Sequence, residues 1–121
     1  MNDEDSFING HLNEMHKSKE DQARAKRRKL KCYIEFGGKL SRLADEIPST
    51  KLRGPVIAKL FPDSKCLDPA LRSNCKWLYE ALNKPGHEAA DILTVLNVES
   101  IFDLGSENPT VIRRRFLAAK A

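Results

Sequence analysis

A chain of 121 residues with 40% hydrophobic and 31% charged residues holds enough apolar material for one compact core and little more. Its formal net charge of +4 is unevenly spread. Residues 1–22 carry six carboxylates against two lysines, a net of −4. Residues 23–121 carry nineteen Lys/Arg against eleven Asp/Glu, a net of +8. A basic body behind an acidic leader is expected to attract polyanions, nucleic acid first. No apolar run is long enough for a transmembrane helix, and the N-terminal MNDEDSF lacks a signal-peptide core, so a cytoplasmic protein without membrane contact is expected.

Residues 1–22 read as an acidic, flexible leader or a short docking helix, since Ile8, Leu12 and Met15 share one helical face. Residues 23–121 read as a basic helical domain. The longest helical signal covers 20–47, where Leu30, Tyr33, Ile34, Gly37, Leu40, Leu43, Ala44 and Ile47 recur at three- and four-residue spacing. Within it, Gly37-Gly38 either permits close packing against another helix or marks a kink. Pro48 should stop this helix.

Residues 49–54 read as a loop. Pro55 suits the first position of a short helix over 56–61, and Pro62 ends it. Asp68-Pro69 pairs an N-cap carboxylate with a first-position proline, so a helix should run from 69 to about 84. Leu71, Cys75, Leu78, Tyr79 and Leu82 would form its buried stripe. A further helix is expected over 87–96, then a short turn over 99–104 closing on Gly105. Asn108-Pro109 repeats the cap-then-proline start, so a last helix over 110–120 would bury Ile112, Phe116 and Ala119. No segment alternates convincingly with period two. The expected fold is therefore all-α, with five to six helices in one domain.

The three cysteines, Cys32, Cys66 and Cys75, have no paired spacing. They suggest buried thiols in a reducing compartment. No zinc spacing, phosphate-binding glycine loop or nucleophile motif is evident, so neither a cofactor nor catalysis is expected.

Two constellations point to binding. The run Arg24-Ala25-Lys26-Arg27-Arg28-Lys29-Leu30-Lys31 puts six cations into eight residues. On a helix they surround the axis, which suits phosphates. A plainer account is a solvated helix start partly neutralised by Glu20 and Asp21. The second is the 56–61 and 69–84 helix pair, a candidate helix-turn-helix. In that motif the front of the second helix reads base edges. Here the front would present Arg72, Ser73 and Lys76, with Lys59 and Lys65 flanking the groove. The plainer account is an ordinary helix pair with polar outer residues. Arg113-Arg114-Arg115 suits either helix-dipole compensation or a phosphate clamp.

The order of a long Lys/Leu/Gly helix, a short helix, the segment Arg72-Ser73-Asn74-Cys75-Lys76-Trp77-Leu78-Tyr79-Glu80-Ala81-Leu82, and then Ile92 to Leu104 resembles helix-turn-helix proteins of phages and plasmids. The resemblance is to those related to the central domain of partition proteins, and it covers roughly residues 30–118. The connection 62–68 is longer than the usual turn of that motif. The resemblance implies a DNA-binding accessory or regulatory protein, often dimeric, and the first expectation is accordingly a sequence-specific DNA-binding regulatory or accessory protein of a mobile element. The 30–47 helix, whose apolar stripe is wide for a lone surface helix, is either a homodimer contact or simply the core of the monomer. The competing expectation is a protein-binding inhibitor or adaptor that uses the long helix and its acidic leader. RNA in place of DNA is a third.

Overall fold

The structure, a computed structural model, describes residues 3–121, the side chain of Glu4 excepted. Met1 and Asn2 of the predicted leader lie outside the described residues. The architecture is all-α. Helix α1 (Asp3–Glu46) leads to α2 (Thr50–Leu60), a 3-10 turn (Pro62–Cys66) and α3 (Pro69–Asn83). Then come α4 (Ile92–Val95), a second 3-10 turn (Ile101–Leu104) and α5 (Pro109–Lys120). No helix among the described residues is long and apolar enough to cross a membrane.

The 44 residues of α1 make a rod about 66 Å long at 1.5 Å per residue. It is one helix from Asp3, not a separate leader followed by a helix at 20. Residues 5–29 are all exposed, and burial begins at Leu30. The second half of the rod packs along α3, and α3 packs in turn on α5. Leu30, Trp77, Leu78, Ala81, Ala89, Ile92, Ile101, Ile112 and Phe116 form the core where these helices meet the two short segments between α3 and α5.

Gly37-Gly38 settles as a close-packing device, not a kink, since α1 runs through it unbroken. A Cβ on Gly37 would stand 2.0 Å from the carbonyl oxygen of Cys75, and one on Gly38 would stand 2.9 Å from the Tyr79 ring. The buried Ser41 hydroxyl then donates to Glu80 Oε2 across the same contact at 3.0 Å. The face of residues 30–47 expected to form a dimer contact is thus occupied by the protein's own α3.

Two predicted starts appear as read. Asp68 accepts from the Leu71 amide at 2.8 Å, with Pro69 first in α3. Asn108 accepts from the Thr110 amide at 2.9 Å, with Pro109 first in α5.

Other expectations need correction. Residues 50–54 are helical, because Ser49 caps α2 and Arg53 turns back to donate to the carbonyls of Ile47 and Pro48 at the end of α1. Pro55 therefore sits inside α2. That position is tolerable in a helix with no buried residue. Of the 87–96 helix only Ile92–Val95 forms. His87 Nδ1 accepts the Ala89 amide at 3.0 Å and holds the chain there as a turn. Ala119 is exposed, and of the cysteines only Cys75 is buried.

The buried face of α3 is rotated from the expected stripe. It contains Asn74, Cys75, Trp77, Leu78 and Ala81, while Leu71, Tyr79 and Leu82 are half-buried. Asn74 can be buried because its amide donates to Thr110 Oγ1 at 3.0 Å and accepts from Arg113 Nη1 at 2.9 Å. The Arg113 guanidinium also lies over the Trp77 ring, 5.1 Å from its centroid. The first arginine of the C-terminal triplet is thus a tie between α3 and α5.

Candidate nucleic-acid interface

The ten residues expected to meet nucleic acid fall into two groups. Lys26, Arg27, Arg28, Lys29 and Lys31 lie exposed on α1 on either side of Leu30, the first buried residue along it. Lys59, Lys65, Arg72, Ser73 and Lys76 lie around the front of α3. The cleft beside Arg72 is walled by Leu40 and Ala44 of α1, roughly 20 Å along the axis from the basic run at 1.5 Å per residue. The structure does not merge the two groups.

In the first group the plainer account of neutralisation by the leader applies only in part. Glu20 pairs with His16 at 2.9 Å, and Asp21 pairs with Arg24. Lys29 reaches Glu107 at 3.7 Å. Among the described residues, Lys26, Arg27, Arg28 and Lys31 enter no ion pair. Lys26 and Arg27, together with Lys19, line one side of an open groove of about 440 Å³. Its other side is formed by Phe102, Asp103, Gly105 and Ser106. Arg28 and Lys31 do not border this groove and face solvent.

In the second group the expected reading edge is recessed. Arg72, Ser73 and Lys76 form one side of a cleft of about 220 Å³ whose other sides are Leu40 and Ala44 of α1 and Thr50, Arg53, Gly54 and Ile57 of α2. Backbone contacts between α2 and α3 are sparse, and α2 packs mainly on the following 3-10 turn and on α1. The two helices do not lie against one another as the two arms of a compact helix-turn-helix do. Reading base edges requires a helix that stands clear enough to enter the major groove. Here the front of α3 is flanked by α1 and α2. Arg72 also borders a neighbouring hollow with Lys65 and Ser64, and Lys59, exposed on α2, does not line it.

Lys76 is committed elsewhere. Its ammonium lies 3.1 Å from Glu80 Oε1, and Lys84 holds the other carboxylate oxygen at 2.9 Å. Glu80 is the hub of this network. Burial pushes its carboxyl up, but hydrogen bonds from Lys84, Lys76 and Ser41 outweigh burial and bring it down to about 2. A carboxyl lowered on folding stabilises the fold above its unfolded value near 4.5. That stability is lost as pH falls toward 2. Thermal unfolding should therefore hold steady from pH 5 to 8. It should decline between pH 4.5 and 2, with a Glu80 share of up to about 2 kcal/mol after allowance for solvent screening. In Glu80→Gln that share of the acid decline should vanish. An unchanged acid profile in that variant would refute the role.

Burial, and then the Cys32 thiol nearby, push the Cys75 thiol up to about 12. It is a packing residue beneath Gly37, not a nucleophile. Trp77 is likewise part of the core, with its ring against Phe116 and His87.

The sequence reasoning missed the walls contributed by Thr50, Arg53 and Gly54, which the serine cap at Ser49 could have signalled. It also missed the claim of Glu80 on Lys76, which the four-residue spacing of Lys76, Glu80 and Lys84 could have revealed. Compared with protein-family models, curated proteins and solved structures, the chain matches none of them.

Proposed function

We propose that this protein binds duplex DNA without acting on it chemically, as a regulatory or accessory factor. Its main contact is the basic stretch of α1, and the front of α3 contributes a secondary one. The observation that supports this most is the set of exposed cations Lys26, Arg27, Arg28 and Lys31. They stand on consecutive turns with no ion pair among the described residues, while nearby Asp21 pairs with Arg24 and Glu20 turns toward His16. Four cations free to meet phosphates release counterions on binding and give steep salt dependence. The recessed Arg72 and the pairing of Lys76 with Glu80 make backbone contact the larger share and base reading the smaller one. The resemblance to phage and plasmid helix-turn-helix proteins gives this reading its setting on a mobile element.

The test is fluorescence anisotropy with a duplex about 20 base pairs long, titrated between about 50 and 200 mM salt. Wild-type protein should bind, with affinity falling steeply as salt rises. The double variant Arg28→Ala/Lys31→Ala should weaken binding to any sequence and flatten the slope of log affinity against log salt by about 2. Arg72→Ala should have a smaller effect and leave that slope within about 1 of wild type. Absence of binding at the lowest salt, or indifference to the double variant, would overturn the proposal.

A protein-binding adaptor is the second reading. It is favoured by the exposed Phe7, Ile8, Leu12 and Met15 on the projecting half of α1, which phosphate contact does not explain.

A further inference from the structure

Ile8, Leu12 and Met15 are 47%, 55% and 49% exposed. They belong to a seam that composition alone hides. Asp5, Ile8, Leu12, Met15, Lys19, Gln22 and Lys26 follow one another at alternating three- and four-residue steps. This is a strict 3.5-residue repeat, the period of helices that wind around a partner helix. The next step of the repeat falls on Lys29, beside Leu30, the first residue along α1 that the body of the protein buries. Residues 5–29 of α1 are exposed throughout, so this stretch lacks the tertiary packing from which most helical stability comes.

We infer that a second copy of this chain covers the seam, with the two α1 helices antiparallel and centred near Met15. The argument rests on the order of charges. A parallel pair in register would set Asp5 on Asp5, Lys19 on Lys19 and Lys26 on Lys26, and each such layer repels. The antiparallel pair sets Asp5 opposite Lys26, Ile8 opposite Gln22 and Ala23, Leu12 opposite the methylene stem of Lys19, and Met15 opposite Met15. The same alignment lays the acidic start of each α1, Asp3 to Asp5, along the basic run 24–31 of the other copy, once at each end of the pair. A two-fold interface must be self-complementary in this way.

The geometry of the body agrees. In this register the tip of one helix comes beside Lys26 and Arg27 of the other copy, where they line the open groove with Gly105 and Ser106. Arg28 and Lys31 lie off that groove, so these two of the four cations offered to phosphate stay clear of it when the copies pair. The inference does not depend on DNA binding and is tested without nucleic acid.

The experiment is sedimentation equilibrium of the full chain in reducing buffer, from low micromolar to several hundred micromolar, at low and high salt. Wild-type protein should be a dimer at low salt and dissociate more readily at high salt. Leu12→Asp should be monomeric at every concentration while its thermal unfolding stays that of wild type. Asp5→Lys and Lys26→Glu should each weaken the dimer about tenfold or more, and Asp5→Lys/Lys26→Glu together should restore it. In a parallel pair the double variant would keep its like-charge layers and remain as weak as the single variants. A wild-type chain that stays monomeric throughout, or a double variant that does not recover, overturns the inference.

Discussion

Gly37→Ala should destabilise the protein by about 3 kcal/mol, although alanine is the better helix former by about 1 kcal/mol. The added methyl would meet Cys75 oxygen at 2.0 Å, Cys75 carbon at 2.4 Å and Lys76 nitrogen at 3.0 Å. All three are backbone atoms of α3, so no side chain can rotate away. Relief requires α1 and α3 to separate, which opens the core below them at Leu30, Leu78 and Ala81. It also stretches the bond from Ser41 to Glu80, leaving a buried hydroxyl short of its partner. Gly10→Ala is the matched control, since nothing lies within 4 Å of the position. It should cost nothing. Urea unfolding of the two variants beside wild type decides the matter. A Gly37→Ala midpoint equal to wild type would mean that the two helices do not approach as described.

Leu78→Ala should cost about 3–4 kcal/mol, within the range for leucine truncations at fully buried sites. Leu78 is 0% exposed, at the centre of the cluster that joins α1, α3 and α5. The lost methyl and methylene groups leave a cavity walled by three helices that are already pinned. Glycine contact holds α1 to α3, and the Asn74–Thr110–Arg113 bonds hold α3 to α5. Little collapse into the void is possible, so the cost should not fall to the low end of the range. A domain of this size has only about 5–15 kcal/mol in total. Leu52→Ala, 65% exposed on α2, should stay within about 0.5 kcal/mol of wild type. If the two variants unfold at the same denaturant concentration, the core has been misplaced.

Helix starts built from local chemistry were legible in the sequence. Asp68-Pro69 and Asn108-Pro109 carry cap and first-turn proline in adjacent residues, and both function so. The start of α2 was not legible in the same way, because it depends on Arg53 reaching back to the carbonyls that end α1. The burial of Asn74 was hidden for a related reason. A polar residue reads as an outward one until a partner thirty-nine positions away is known to bond it. Cys32 and Cys66 read as apolar yet lie outside the core, since hydrophobic character permits burial without requiring it.

For the candidate interface, the supply of cations was plain in the sequence and their surroundings were not. Whether a charge is free depends on which acid the fold sets beside it. The helical spacings of Lys76 with Glu80 and of Asp21 with Arg24 offered that information in advance. The cleft around Arg72 comes from the path of α2, a tertiary fact with no local signature.

Because α1 passes from the core to its far tip as one uninterrupted rod, it has no hinge at which the two halves could turn separately. The glycine contact with α3 therefore acts as a fulcrum and the projecting half as a lever arm, about 50 Å from Gly37 to the tip at 1.5 Å per residue. A tilt of ~5° between the two packed helices would carry the tip through ~4 Å at that radius. Small adjustments inside the body thus reach the far end magnified, and a load on the tip bears directly on the tightest packing in the protein.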